Sequence, residues 1–181
     1  MGTDRNVGEF KPQDWAFCGV FGAAALLLPL VFHVLHLGHV FLPMYIPLFA
    51  LALITRPIPS GLTSALVPVL SAVLTGMPPL YPPIAWIMAV ELAAMVSATS
   101  FLAVRLPKRN PILIILPVLI LGRVLNAVLY YGAASLMDLP AAFLAGLSFF
   151  SGWPGVVLIL ITTSAFARTL REHGPVGPSA L

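Results

Sequence analysis

At 181 residues, with 60% hydrophobic and only 8% charged side chains and a mean hydropathy of +1.03, the chain lies far from soluble domains, in which about a quarter of residues are charged. Too few polar side chains are present to cover a water-facing surface, so lipid must cover it. The net charge of +3 comes from nine Lys and Arg that form no basic stripe, which excludes a nucleic-acid partner, and the lone Cys18 excludes a disulfide framework or a Cys-rich metal site.

A helix crossing a hydrocarbon core of about 30 Å needs about 20 apolar residues, and the chain offers six such stretches. Residues 1–14 mix Arg5 and Lys11 with Asp4, Glu9 and Asp14 and read as a polar N-terminal segment. The apolar stretch that follows, over 15–37, is longer than a signal-peptide core and reads as a retained first span. On it Gly19 and Ala23 form a small-xxx-small pair, widened by Cys18 and Gly22, that suits either internal packing or docking of another membrane protein. His33, His36 and His39 recur every three residues at its far end, a spacing that could present imidazoles to a metal ion, to a ligand or to the membrane interface.

The second and third spans, 40–56 and 59–76, are short and carry Pro43, Pro47 and Pro68, so the freed backbone groups need internal partners or a water-lined cavity. Arg56-Pro-Ile-Pro-Ser-Gly61 separates them, and Gly76-Met-Pro-Pro-Leu-Tyr-Pro-Pro83 ends the third. The fourth span, 84–106, holds Glu91 roughly 10 Å below its outer end. After Pro107-Lys-Arg-Asn-Pro111 the fifth span, 111–136, carries Arg123, Asn126 and Tyr130 on one helical stripe. A sixth, 146–170, begins near Trp153 and leads to a tail over 171–181. Trp86, Trp153, Tyr45, Tyr81 and Tyr131 lie near span ends, where aromatic side chains either anchor at the interface or meet a ligand.

The expected fold class is therefore all-α, a polytopic bundle of six transmembrane helices over 15–170. Arg5, Lys11, Arg56, Arg105, Lys108, Arg109, Arg168 and Arg171 fall on one side of such a bundle, which should be the cytoplasm and should hold both termini. Glu91 and Arg123 lie within spans, where an ionisable group costs at least a few kcal/mol unless it pairs or faces water. Two roles suit them: a structural ion pair between the fourth and fifth helices, or a ligand site in which Arg123 takes an anionic group and Glu91 accepts from an N–H donor. No phosphate-binding G-x-x-x-x-G-K-[ST] loop, G-x-S-x-G or H-E-x-x-H pattern is present, so the chain does not hydrolyse ATP alone and is not expected to be an enzyme. The alternative is an intramembrane metal-binding protein or enzyme built on His33, His36, His39 and Glu91.

Over residues 15–170 the arrangement resembles the substrate-binding S components of energy-coupling factor transporters, the vitamin-uptake systems of prokaryotes. The resemblance rests on six short spans with both termini inside, the outward segment Gly38-His-Val-Phe-Leu-Pro-Met-Tyr-Ile-Pro47, then Pro68-Val-Leu-Ser-Ala-Val-Leu-Thr-Gly-Met-Pro-Pro79 and Glu91-Leu92. It implies capture of a water-soluble vitamin or related micronutrient from outside, no cofactor, and assembly in the cell membrane with a coupling membrane protein (T component) and two cytoplasmic ATPases. The family docks on its coupling protein through two alanines four apart on the first helix, for which Gly19 and Ala23 are the nearest match. Its ligand sites lie in the outer half, which implies contacts from Glu91, Arg123, Asn126, Tyr130 and Trp153, and from His36 and His39 in the segment after the first helix. The chain begins Met1-Gly2-Thr3 rather than Met-His and lacks Thr-Gly-Gly-Tyr, which sets it apart from the cobalt, nickel and biotin members.

Overall fold

The computed structural model describes residues 12–34, 43–107, 109–138 and 153–173, and among these the chain forms six helices and no strand. They are α1 (Pro12–Val34), α2 (Tyr45–Ile54), α3 (Pro57–Thr75), α4 (Ile84–Arg105), α5 (Pro111–Leu136) and α6 (Trp153–His173). Proline sets two starts: Pro57 and Pro111 each lie in the first turn, where a missing N–H costs nothing. Asn110 caps α5, its side-chain oxygen accepting from the Ile112 N–H at 3.1 Å. Gly76 closes α3 in the left-handed conformation, φ 73°, and donates to the Ala72 carbonyl at 2.9 Å.

Four stretches, Pro12–Phe32, Pro57–Thr75, Ile84–Arg105 and Pro111–Leu136, are long and apolar enough to cross a membrane. Their outward faces carry Val20, Leu27, Leu74, Leu121 and Val128, each more than half exposed. So much apolar surface is untenable in water, and the molecule is a helical membrane protein with lipid as its outer solvent.

The second expected span, 40–56, departs most from expectation. Its helix begins at Tyr45, after a turn at Pro43 and Met44, and runs only ten residues, about 15 Å or half a hydrocarbon core. The segment is apolar all round because protein encloses it: eight of its ten residues are buried, with Leu48, Phe49 and Leu51 wholly so. It packs on α1, α3, α4 and α6, while α1–α3, α3–α4, α4–α5 and α5–α6 contacts form a wall around it. Phe21 of α1 meets Phe166 of α6 edge to face, centroids 5.9 Å apart, and closes that wall. The main core is the inner lining of this enclosure, with Leu48, Phe49 and Leu53 against Ala25, Leu92, Val96, Ile115 and Ile159.

At one end of the bundle the two-residue link Thr55–Arg56 between α2 and α3 is tied to its neighbours by side chains. Ser100 of α4 donates to the Thr55 carbonyl at 2.6 Å, and Ser97 donates to the Pro57 carbonyl at 3.3 Å. Asp14 and Arg56 were expected in polar segments at the membrane surface. Both are instead buried: Asp14 lies in the first turn of α1 and Arg56 Nη1 donates to its Oδ2 at 2.7 Å. A carboxylate in the first turn of a helix also complements the macrodipole, which favours Asp14 there.

Candidate functional site

The α4–α5 seam is antiparallel, and its contacts step in register four residues at a time. Met95 lies over Gly122, Glu91 over Asn126, and Ile87 clusters with Tyr130. A Cβ on Gly122 would overlap the Met95 thioether, so the missing side chain is what lets the two helices approach. That closeness brings a short amide within reach: Asn126 Nδ2 donates to Glu91 Oε2 at 2.7 Å. Gly122→Leu is expected to lower stability by about 1–3 kcal/mol through overpacking. Thermal unfolding in detergent checks this, and Met95→Ala should recover most of the loss; a loss that Met95→Ala leaves untouched would show that this contact does not set the helix spacing.

Glu91 is 1% exposed, and Asn126 is not its only donor. The hydroxyl of Tyr45, the first residue of α2, also hydrogen-bonds the carboxylate. Arg123, one turn before Asn126 on the same stripe, acts on both Glu91 and Tyr45 electrostatically, and Tyr130 lies within electrostatic reach of Glu91. The structure therefore gathers Glu91, Arg123, Asn126 and Tyr130 where α4 meets α5, and adds Tyr45 from the enclosed helix. Within a low-dielectric surround a carboxylate is tolerable only when donors and a cation surround it, and these side chains supply both. Tyr45 had been grouped with Tyr81 and Tyr131 as a span-end aromatic; those two are more than half exposed, whereas Tyr45 is 4% exposed and stacks on Phe49 with centroids 6.4 Å apart. The signal for it was the wholly apolar run from 46 to 54, which marks a helix enclosed by protein, so that a tyrosine at its first turn is carried into the core.

The remaining site residues fall elsewhere. Trp86 is more than half exposed on the outer surface of α4. Trp153 opens α6 and His33 lies on α1, but their side chains fall outside the described residues, as do His36 and His39 altogether. Among the described residues no three His, Cys, Asp or Glu side chains gather as a metal-binding group. Gly19 and Ala23 lie on the exposed face of α1, and a Cβ on Gly19 would meet nothing. Cys18 and Gly22 do not widen that face: Cys18 is buried, and Gly22 faces Thr63 and Val67 of α3.

A second polar group was not anticipated at the Thr55–Arg56 end. Besides the Asp14–Arg56 pair it contains Thr55, whose hydroxyl donates to the Leu51 carbonyl at 2.8 Å, and Ser60, which donates to the Arg56 carbonyl at 2.8 Å. Arg56 Nε and Thr99 Oγ1 are buried there, and Ser164 Oγ is buried on α6, each without a hydrogen-bond partner among the described residues. Compared with known protein families, characterised proteins and solved structures, the chain has no match.

Proposed function

We propose that the protein is the membrane-embedded, substrate-binding subunit of an energy-coupling factor type importer, taking up a small water-soluble vitamin or related micronutrient. The observation that carries this reading is the polar cluster of Glu91, Asn126, Tyr45, Arg123 and Tyr130 within the α4–α5 half of the bundle, at the opposite end of α2 from the Asp14–Arg56 pair. Ionisable groups at such depth are expensive, and substrate or ion pathways are among the reasons a membrane protein retains them. In this reading all six helices count as spans, with the enclosed α2 included, and both termini are cytoplasmic in the cell membrane of a prokaryote. Arg105, Arg109 and Arg168 are exposed near helix ends that this topology assigns to the cytoplasmic side, in keeping with the positive-inside rule.

Capture comes first: the outer ends of α4 and α5 admit the ligand, and the polar stripe of α5 holds it. Energy then comes from elsewhere, since the chain has no nucleotide-binding loop. A coupling protein docking on the open Gly19 and Ala23 face of α1 would link the bundle to two ATPases. Mild purification of the chain through a C-terminal tag, with mass spectrometry of what accompanies it, tests the reading. A coupling membrane protein with two ATPases is the expected result; a folded protein that brings down neither, and no small polar molecule, would sink it.

A further inference from the structure

We propose that the α3–α4 loop, residues 76–83, is an interfacial anchor. It lies in the boundary layer of the bilayer, with Met77, Leu80 and Tyr81 set among lipid headgroups and the first acyl carbons, and it does not form the rim of a water-filled mouth.

Position comes first. α3 runs 19 residues from Pro57, directly after the buried Arg56, and rises about 28 Å, close to the roughly 30 Å of a hydrocarbon core. A loop that begins at Gly76 therefore begins where the acyl chains end. Exposed apolar side chains continue across it. Val73 and Leu74 close the outer face of α3, Met77, Leu80 and Tyr81 follow on the loop, and Trp86 and Val90 carry the exposed surface along α4. From Pro57 to Val104 the one charged side chain is Glu91, which is buried, so no surface charge on this stretch opposes contact with lipid.

Backbone chemistry singles the loop out. Irregular backbone is kept out of lipid because unpaired N–H and C=O groups need water or protein partners. Four of the eight residues here, Pro78, Pro79, Pro82 and Pro83, have no N–H to satisfy. The Gly76 N–H donates to the Ala72 carbonyl at 2.9 Å, and the Met77 N–H donates to the Thr75 hydroxyl at 3.3 Å. The Met77 carbonyl accepts from Ser71 Oγ at 2.7 Å, and the Pro79, Pro82 and Pro83 carbonyls accept from the Ala85, Ile84 and Ile87 N–H groups. Among the described residues, the loop's remaining donors are the Leu80 and Tyr81 N–H groups at its tip and the Tyr81 hydroxyl, its one polar side chain. Ester carbonyls and interfacial water suffice for these, and an aromatic side chain with a polar tip suits that layer. A loop lining a water-filled entrance would instead carry polar side chains and open amides.

Quenching in lipid vesicles tests the anchor with the full chain. Tyr81→Trp is placed in a background carrying Trp15→Phe, Trp86→Phe and Trp153→Phe, and the protein is reconstituted in phosphatidylcholine. Lipid brominated near the glycerol end of its acyl chains should quench the emission by about half, and aqueous iodide should quench it about tenfold less than it quenches free tryptophan amide. Photolabelling of the unsubstituted chain gives a second reading that does not depend on those substitutions. A phosphatidylcholine carrying a diazirine on one acyl chain should leave adducts on residues 77–81 within about threefold of those on Val73 and Leu74. Full iodide quenching with none by brominated lipid, or adducts on α3 that stop at Thr75, would overturn the anchor and return the loop to water. Quenching by neither agent would overturn it as well, the loop then being covered by protein, a second copy of the chain included.

Discussion

Asp14→Ala is expected to cost about 3–5 kcal/mol of stability, the usual consequence of stranding one member of a buried ion pair. Arg56 is 4% exposed, its Nη1 is committed to Asp14 at 2.7 Å, and its Nε has no partner among the described residues. Removing the carboxylate would leave a full positive charge at the N-terminus of α3, where the helix macrodipole also opposes it. Unfolding by denaturing detergent, followed by far-ultraviolet circular dichroism, measures the loss. The double variant Asp14→Leu with Arg56→Met should recover most of it, because an apolar pair of similar volume carries no desolvation penalty. A loss below about 1 kcal/mol for Asp14→Ala would mean that the pair behaves as a solvated surface bridge.

Glu91→Leu should be comparably severe, at about 3–5 kcal/mol, for a related reason. The substitution keeps the volume roughly constant but takes the acceptor away from the Asn126 amide and the Tyr45 hydroxyl together. Glu91→Gln retains an acceptor and should cost far less, so the two variants separate lost hydrogen bonding from lost charge. Thermal unfolding in the same detergent reads both. Equal losses would mean that the negative charge itself, and not its capacity to accept hydrogen bonds, holds α2, α4 and α5 together.

Composition alone made the membrane setting legible, because no arrangement of so few polar residues covers a globule. Helix ends were legible wherever proline, glycine or asparagine dictates backbone geometry, as at Pro57, Gly76 and Asn110 to Pro111. The α5 stripe of Arg123, Asn126 and Tyr130 followed from helical periodicity, and Glu91 stood out because carboxylates within spans are rare. Two things were not legible. The partner of Glu91 depends on the register between α4 and α5, set by Met95 lying over Gly122, and no single helix encodes that. Asp14 and Arg56 looked like ordinary charges at span ends, since a count along the chain says nothing about which ends fold inward against one another. Of the two roles open to Tyr45, interface or ligand contact, the first falls for the same reason: enclosure of α2 by its neighbours carries that span end into the interior.

The enclosure of α2 has a mechanical consequence. Lipid-facing helices take their depth and tilt from the thickness of the bilayer. With eight of its ten residues buried and only Ile46 and Ile54 partly exposed, α2 offers the bilayer little through which to set its position. Its depth is fixed by what grips its two tips, Tyr45 on Glu91 at one and the serine-stitched Thr55–Arg56 link at the other. It acts as a gauge rod of about 15 Å that keeps the spacing of the two polar groups constant. Thinner or thicker membranes would tilt the outer helices while leaving that internal distance to the protein.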